Sequence, residues 1–326
     1  MTSPDLPAEL KAALDRKTDG LSQTDAARRA VAISENYRGG GNSTPIVSEA
    51  DALAYALARM PATYAAIAAS LNALREQNPD FTPRSLLDVG AGPGTASWAA
   101  SQSFETLEAF AALDANNALG ALALDLVSGT RLSALNYERG DALSGIAGAP
   151  SCDLVIASYV INEMDEARRA QLVAAMWEKT EDVLLIVEPG TPAGYERIIT
   201  ARAQLVANGA HVIAPCPHDE ACPLTPPDWC HFSQRLPRSR AHKHLKGADL
   251  PFEDERFSYV ILSRTTGVER SARVLSQPAL TKIAVNAKLC TGNGIKRVAV
   301  PRRDKTSYAM ARKWDWGDAV VDLSVE

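Results

Sequence analysis

The sequence predicts an α/β protein with a mostly parallel sheet, an N-terminal helical region and a cysteine-rich, β-containing C-terminal part. Two observations carry this fold class. Apolar strand-like runs alternate with amphipathic helical segments from residue 85 onward, which is typical of parallel βαβ units. Four of the five cysteines lie beyond that alternation. The 326 residues suit one large domain or two ordinary ones, and the predicted parts are 1–80, 81–208 and 209–326.

The N-terminal region is predicted to be helical. Segments 6–16 and 24–38 are rich in alanine and carry their apolar residues at helical spacing. Ser48 is a suitable N-cap for a third helix. Pro61 is expected to interrupt that helix, because proline has no N–H to donate to the preceding turn.

Strands and helices then alternate along the chain. The predicted strands are 85–90, 107–114, 132–141, 152–164, 182–190 and 257–264, and the predicted helices between them are 116–129, 166–180 and 194–209. A cysteine-rich insertion is expected at 209–247. Two β-rich runs, 281–290 and 294–302, are joined by the sequence TGNG, which predicts a hairpin.

A glycine-rich turn follows the first predicted strand and has the form D-x-G-x-G-x-G. Glycines at such a turn allow a ligand to approach the backbone closely. Asp114 ends the next strand, where an acid can bind ribose hydroxyls, and Asp141 ends the third, where an adenine amine would lie. The candidate cofactor residues are Asp88, Gly90, Gly92, Gly94, Asp114 and Asp141.

The form of this turn is similar to the first motif of S-adenosylmethionine-dependent methyltransferases. A nicotinamide dinucleotide is the alternative ligand, because it uses a similar loop and a similar acid. The single sheet, without a second βαβαβ half, favours S-adenosylmethionine. A glycine turn that holds no ligand is the remaining alternative.

Catalytic residues are less evident than the cofactor turn. Methyltransferases that act on base amines carry a [DN]-P-P-[FYW] tetrad after the fourth strand, but residues 158–163 lack the prolines. Asn162 and Glu163 are expected to face the cleft, and Glu188 ends the fifth strand. Cys152 begins its strand and reads as a small core residue. Asn162 and Glu188 are the catalytic candidates, and whether the chain is an enzyme stays open.

Four cysteines form the candidate metal site: Cys216, Cys222, Cys230 and Cys290. Their C-x5-C-x7-C spacing lacks the short pairs of structural zinc sites, and prolines follow two of them. Wide spacing fits an iron–sulfur cluster better, with zinc and unmetallated thiols as alternatives. His218 and His231 are possible substitutes for a cysteine. A radical S-adenosylmethionine site would need C-x3-C-x2-C, which is absent.

Charge is distributed very unevenly. Residues 1–230 contain 16 Lys+Arg and 29 Asp+Glu, whereas residues 231–313 contain 18 and 6. Such a basic block repels itself unless a polyanion balances it, so nucleic acid is the expected partner. No apolar run of 18 residues occurs, so no membrane span is expected. The N-terminus carries early acids and no apolar core, which predicts a cytoplasmic protein.

Eight stretches resemble one family, the ribosomal small-subunit methyltransferase-like proteins, which comprise a mitochondrial assembly factor and its bacterial relatives. The matching stretches are 59–66, 86–95, 157–164, 187–195, 216–224, 229–240, 252–264 and 302–318. The resemblance implies a class I methyltransferase fold with S-adenosylmethionine at the glycine turn and a 4Fe-4S cluster on the four cysteines. It also implies binding to the small ribosomal subunit and its rRNA during assembly. A catalytically active rRNA methyltransferase is the alternative.

The resemblance gives the basic block an expected partner, the rRNA of the small subunit. The protein is expected to be a monomer when it is not bound to the ribosome. Cations bind phosphates, and nearby aromatic rings can stack on unpaired bases. The candidate RNA-binding residues are Arg235, Arg238, Arg240, Lys243, Lys246, Arg302, Arg303, Lys305, Arg312 and Lys313. Tyr308, Trp314 and Trp316 lie among the last of these. For the two tryptophans, packing inside the β-rich part is the alternative.

Overall fold

Three helices precede the first strand: α1 (Ala8–Thr18), α2 (Gln23–Arg38) and α3 (Glu49–Gln77). The computed structural model describes residues 1–18, 22–238, 242–243, 249–266 and 270–321. Ser48 caps α3 as predicted: its side chain accepts the Asp51 N–H, while the Asp51 carboxylate accepts the Ser48 N–H.

The expected interruption of the third helix at Pro61 is wrong, because Pro61 lies inside α3. A proline in a helix interior costs about 3 kcal/mol. Large side chains on both sides of it, such as Met60 and Ile67, are almost completely buried. Burying a side chain of this size contributes about 1.5–3 kcal/mol, so the packing of one long helix outweighs the proline.

The central sheet has eight strands: β1 (Ser85–Val89), β2 (Ala109–Asp114), β3 (Asn136–Arg139), β4 (Cys152–Ser158), β5 (Thr180–Pro189), β6 (His211–Ala214), β7 (Phe232–Pro237) and β8 (Phe252–Ser263). Their order is β3-β2-β1-β4-β5-β8-β6, with β7 also paired to β8. Strands β1 to β5 are parallel, whereas β8 runs antiparallel to β5. The predicted class I methyltransferase fold, with a mostly parallel sheet, is confirmed.

Helices cover both faces of this sheet: α4 (Thr95–Ser103), α5 (Asn117–Val127), α6 (Ala142–Gly145), α7 (Glu166–Lys179) and α8 (Pro192–Ala207). Leu86 lies in a core with α3, α4 and α5, while its neighbour Leu87 lies in a second core with α7 and α8. Successive strand residues point to opposite faces, so both faces of the central strands must be apolar. None of the helices in the described ranges is long and apolar enough to cross a membrane.

A smaller sheet follows, made of β9 (Ala272–Val274), β10 (Ala279–Leu280), β11 (Ala284–Thr291), β12 (Gly294–Pro301) and β13 (Ala319–Val320). The predicted hairpin is confirmed: β11 and β12 are antiparallel, and Thr291 faces Gly294. Helix α9 (Lys305–Ala311) follows β12. Trp314 is partly buried and packs on this sheet.

The segment that the sequence marks as an insertion contributes to the central sheet. Strands β6 and β7 both lie within 209–247 and pair with β8. Sequence patterns missed β6 because it has only four residues, and missed β7 because polar residues interrupt it. The first three cysteines of the candidate site therefore lie on a connection between two strands of the main sheet.

Candidate functional site

A cavity of about 360 Å³ lies at the carboxyl ends of the parallel strands. Its size is within the range of ligand sites, about 300–1,000 Å³. Four of the six candidate cofactor residues line it: Gly90, Gly92, Asp114 and Asp141. This is the edge of an open α/β sheet at which ligands bind.

The backbone of the turn requires glycine. Gly90, Gly92 and Gly94 have φ angles of +70°, +53° and +79°. A Cβ on Gly90 would lie 2.4 Å from Cγ2 of Val160, so any side chain there would clash. A Cβ on Gly92 would meet only Leu119, at 3.9 Å, so the space beside Gly92 is open towards the cleft.

Asp88 and Gly94 do not line the cavity, but they hold the shape of the turn. The Ser97 N–H and hydroxyl both donate to Asp88 Oδ2 at 2.9 Å, which fixes the start of α4. Asp88 is fully buried, and burial raises its pKa to about 7. Gly94 is the residue before α4 and adopts a left-handed conformation.

Asp114 joins the first two strands at the cleft. The Gly92 N–H donates to Oδ2 at 2.8 Å and the Asn116 N–H to Oδ1 at 2.7 Å. Burial raises the pKa of Asp114. Each oxygen keeps a second lone pair that could accept from a ligand hydroxyl. Asp141 caps α6 and pairs with Arg168 at 2.8 Å.

An N-terminal loop covers the cleft, and no sequence pattern predicted this. Asn116 Nδ2 donates to the Ser43 and Ile46 carbonyls at 3.0 and 2.9 Å. The Ser43 N–H lies 3.4 Å from Oε2 of Glu163. Glu163 and Tyr37 line the cavity, and burial raises the pKa of Glu163 to about 7. Contacts across so many residues are invisible to local periodicity.

Neither catalytic candidate lines this cleft. Glu188 is fully buried, and Arg197 Nε donates to its Oε2 at 2.8 Å. Asn162 also lies outside the lining, although its neighbour Glu163 belongs to it. Tyr159 lines the cleft instead, with a φ of +57°, and its hydroxyl donates to Glu255 at 3.0 Å. A non-glycine residue in this conformation is strained, and such strain is common at functional sites.

The four candidate cysteines line one cavity between the two sheets. Cys216 follows β6, Cys222 and Cys230 lie on the connection to β7, and Cys290 lies in β11. The Tyr195 hydroxyl donates to Cys222 Sγ at 3.1 Å. Burial raises the pKa of Cys290 to about 12 and that of Cys230 well above its usual value.

The donor set in this cavity is sulfur, which suits soft metals. Within the described ranges, no three His, Cys, Asp or Glu side chains converge as ligands of one ion would. Zinc needs four donors within about 2.3 Å of one point. In a cubane cluster each cysteine binds its own iron, so the thiolates need not converge on one point. Four sulfur donors around one cavity can supply the ligands of either group.

Neither candidate histidine lines the cysteine cavity. His218 Nε2 lies 3.8 Å from Cys290 Sγ, while its Nδ1 faces the Glu220 carbonyl at 3.1 Å. His231 stacks on Trp229, with ring centroids 4.9 Å apart. Trp316 Nε1 donates to the His231 carbonyl at 2.9 Å, so Trp316 also has a packing role.

Asp219 anchors the connection that carries the first cysteines. Arg270 donates to both of its oxygens at 2.8 Å, and the Val212 N–H donates to Oδ1 at 2.8 Å. Burial alone would raise its pKa, but these hydrogen bonds lower the pKa of Asp219 to about 2.

The ion pair between Asp219 and Arg270 should make the stability of the protein depend on pH. The folded pKa of Asp219 lies below the unfolded value, so its contribution is complete above about pH 4 and is lost towards pH 2. We expect Asp219→Asn to cost about 1–2 kcal/mol at pH 7, after allowance for solvent screening. Urea unfolding at pH 7 and pH 3 measures this. An equal cost at both pH values would contradict it.

The basic candidates fall into two groups. Arg235 donates to Asp254 at 2.8 and 2.9 Å, and Arg238 to Glu253 at 3.2 Å, so both are engaged within the protein. Lys243 is half-buried. Arg240 and Lys246 lie outside the described residues. The second group is exposed on and around α9: Arg302, Arg303, Lys305, Arg312 and Lys313.

Known proteins with similar sequences are mitochondrial by name. The human ribosome assembly protein METTL17, mitochondrial, is 31% identical over 301 residues, which cover 85% of this chain and 64% of the human protein. The Rsm22-cox11 tandem protein 2, mitochondrial, of Schizosaccharomyces pombe is 25% identical over 339 residues, covering 85% and 44%. The chain thus spans less than two thirds of these relatives. The expected cytoplasmic localisation is wrong, because these relatives point to mitochondria and N-terminal composition alone was its basis.

Solved methyltransferase structures match part of the chain at low similarity. The precorrin-6y C5,15-methyltransferase of Geobacter metallireducens GS-15 is 16% identical, with a TM-score of 0.41 over 61% of this chain and 87% of that one. The magnesium protoporphyrin IX methyltransferase of Synechocystis PCC 6803, solved with bound SAM, is 14% identical, with a TM-score of 0.39 over 62% and 78%. The fold assignment therefore rests on strand order.

The family is shown by a match to most of the chain. The family model described as mitochondrial small ribosomal subunit Rsm22 matches residues 49–321. This range runs from the start of α3 to the end of the small sheet, so it includes the glycine turn and the cysteine cavity but not the N-terminal loop over the cleft. The chain belongs to the Rsm22 family of mitochondrial small ribosomal subunit proteins.

Proposed function

We propose that this chain binds the small ribosomal subunit and its rRNA, as a monomer, and supports the assembly of the subunit and translation. It does so with S-adenosylmethionine in the cleft and a 4Fe-4S cluster on the four cysteines. The observation that carries the proposal is the gathering of four distant cysteines around one cavity in a chain of this family. The name of the human relative, a ribosome assembly protein, supports the role in assembly.

S-adenosylmethionine, when bound, would supply a methyl group on a sulfonium. Gly90 and Gly92 would let the ligand approach the backbone, and Asp114 would accept hydrogen bonds from the ribose hydroxyls. Asp141 would lie near the adenine. The positive φ angles of the turn and the hydrogen bond from Gly92 to Asp114 support this assignment. Asp88 and Gly94 would hold the shape of the turn.

The cluster would be held by Cys216, Cys222, Cys230 and Cys290. Its structural contribution would be to tie the connection between β6 and β7 to β11, and so the first sheet to the second. The cysteine spacing, which lacks the short C-x2-4-C pairs of structural zinc sites, supports a cluster over zinc. A reversible one-electron couple is what the bound group would add to the protein.

The exposed basic group around α9 is the preferred rRNA contact. Arg302, Arg303 and Lys305 lie at the end of β12 and the start of α9, and none forms a salt bridge with a described residue. Phosphate binding needs available cations. Arg235 and Arg238 are paired with carboxylates, so they would have to exchange partners to bind RNA.

An active rRNA methyltransferase is the second candidate. Glu163 favours it, because a carboxyl with a pKa of about 7 beside the cleft could act as a general base. The first candidate remains preferred, because Asn162 and Glu188 do not line the cleft.

Subunit binding tests the first candidate. We expect the triple variant Arg302→Gln, Arg303→Gln and Lys305→Gln to bind purified small subunits more weakly, and the slope of log affinity against log salt to fall by about 2–3. Co-sedimentation at several salt concentrations measures both. The control triple, Arg16→Gln, Arg28→Gln and Arg84→Gln, makes the same charge change on the other end of the chain. Equal losses for the two triples, or a wild-type affinity that ignores salt, would remove the proposed contact.

A further inference from the structure

Two arginines are buried in the wall of the cysteine cavity. Arg202, on α8, is 3% exposed and Arg273, on β9, is 2% exposed. Charged side chains are almost never buried this deeply unless a counter-charge accompanies them. Among the described residues, neither guanidinium lies within 4.0 Å of a carboxylate oxygen.

Backbone carbonyls satisfy only part of these guanidinium groups. Arg202 Nη2 donates to the carbonyls of His218 and Glu220 at 2.8 and 2.7 Å. Arg202 Nε is buried and has no hydrogen-bond partner in the described part of the chain. Arg273 donates to the carbonyls of Pro215 and Gly317 at 3.3 and 2.8 Å. Carbonyl dipoles orient a guanidinium but do not cancel its charge.

The cysteines are the groups that these charges face. Arg202 and Arg273 line the same cavity as Cys216, Cys222, Cys230 and Cys290. The carboxylates of Glu76 and Asp318 also interact electrostatically with Arg273, but their oxygens lie more than 4.0 Å from its guanidinium. The cavity therefore places fixed positive charge beside four sulfur atoms.

The charge of a four-thiolate cluster matches this wall. Four thiolates around an oxidised four-iron, four-sulfide core leave two negative charges, and two guanidinium groups balance them. One-electron reduction adds a further negative charge, which nearby positive charge stabilises. The alternative is that both arginines only hold loops together through hydrogen bonds to backbone carbonyls.

We propose that Arg202 and Arg273 are the counter-charges of the four-cysteine centre and set its metal affinity and reduction potential. This inference rests on the proposed cluster. Neither arginine binds the metal, so both act as positioning residues through the field that they place on the thiolates.

The test compares charge removal with charge retention in the full chain, purified without oxygen. Arg202→Met and Arg273→Met remove the charge, and Arg202→Lys and Arg273→Lys keep it. Arg264→Met is the matched control, because Arg264 also donates to backbone carbonyls, of Thr180 and Trp177, but does not line the cavity. The measurements are the rate of iron loss to a chelator and the midpoint potential in a dithionite titration.

We expect the Met variants to lose iron about 10–100-fold faster and to shift the potential to more negative values. The Lys variants should keep the wild-type potential even if their melting temperature falls, and the control should change neither quantity. An unchanged potential in a loaded Met variant, or the same shift in the Lys variants, would overturn the inference. If a Met variant does not fold, a shifted potential in the Lys variant at that position would overturn the inference.

Wild-type metal content separates this inference from the proposed function. If the wild type contains iron and the arginine variants keep its rate of iron loss and midpoint potential, the cluster proposal stands and the counter-charge role is refuted. Zinc in the wild type refutes the cluster, and the rate of zinc loss from the Met variants then decides the counter-charge role.

Discussion

Cys222→Ser should strip the metal from the protein and unfold the connection between β6 and β7. The connection contains no helix or strand in residues 215–231. A metal on the cysteines would tie it to β11 in addition to the ion pair between Lys288 and Asp228. Structural zinc in zinc-finger peptides contributes on the order of 10 kcal/mol to folding, and a bound metal centre here should likewise couple to folding. Iron and sulfide analysis, absorbance near ~400 nm and the melting temperature measure the effect.

Cys152→Ser is the matched control for this change. Cys152 is also a buried cysteine, but it begins β4 and does not line the cavity. It should keep the metal content of the wild type. One equivalent of zinc without iron in the wild type would refute the cluster. A Cys222→Ser variant with an unchanged melting temperature would show that the cavity holds no structural metal.

Gly92→Arg should abolish S-adenosylmethionine binding. The φ of +53° disfavours any side chain by roughly 1–2 kcal/mol. The larger effect is steric, because the side chain would enter the cavity that the ligand needs. Calorimetry with S-adenosylmethionine measures the loss. Gly129→Arg is the control, since Gly129 has a similar φ of +74° with no neighbouring atom within 4 Å of an added Cβ.

The same pair of variants decides between the two candidate functions. Methylation of immature small subunits by wild type and Gly129→Arg, but not by Gly92→Arg, would establish an enzyme. No methylation, together with an assembly defect when the protein is absent, would favour the assembly factor. Equal ligand affinity in Gly92→Arg and wild type would show that the cleft does not bind S-adenosylmethionine at the glycine turn.

The sheet was predictable where local pattern and tertiary structure agree. Buried parallel strands such as β1 and β5 have apolar central runs that local pattern detects. The turn at Gly90 needs glycines at positive φ angles, and these are also easy to see in a sequence. Pro61 shows where local rules fail, because its cost is local while the packing that outweighs it comes from distant elements. Strand β6 was missed because its four residues give too short a pattern, and its pairing partners in β8 lie about 50 positions away.

The candidate site was predictable only for residues with distinctive chemistry. Cysteines and a glycine motif stand out in any sequence, so their grouping was foreseeable. Arg202 did not stand out, because on α8 it is one cation in an amphipathic helix. Only the fold reveals that its guanidinium is buried beside Cys216. The covering of the cleft by Ser43 was equally hidden, since it depends on contacts with residues more than 70 positions away.

The position of Cys290 in β11 sets a schedule for synthesis of the chain. Cys290 is made 60 residues after Cys230, which takes about 3–12 s at 5–20 residues per second. By then the residues of β1 to β5 and of the glycine turn have been synthesised, whereas only three of the four cavity cysteines have. The nascent chain thus passes through a stage that contains the residues of the parallel strands but lacks one cysteine of the cavity. Chaperones or metal donors that act on this chain would have their opportunity within that interval.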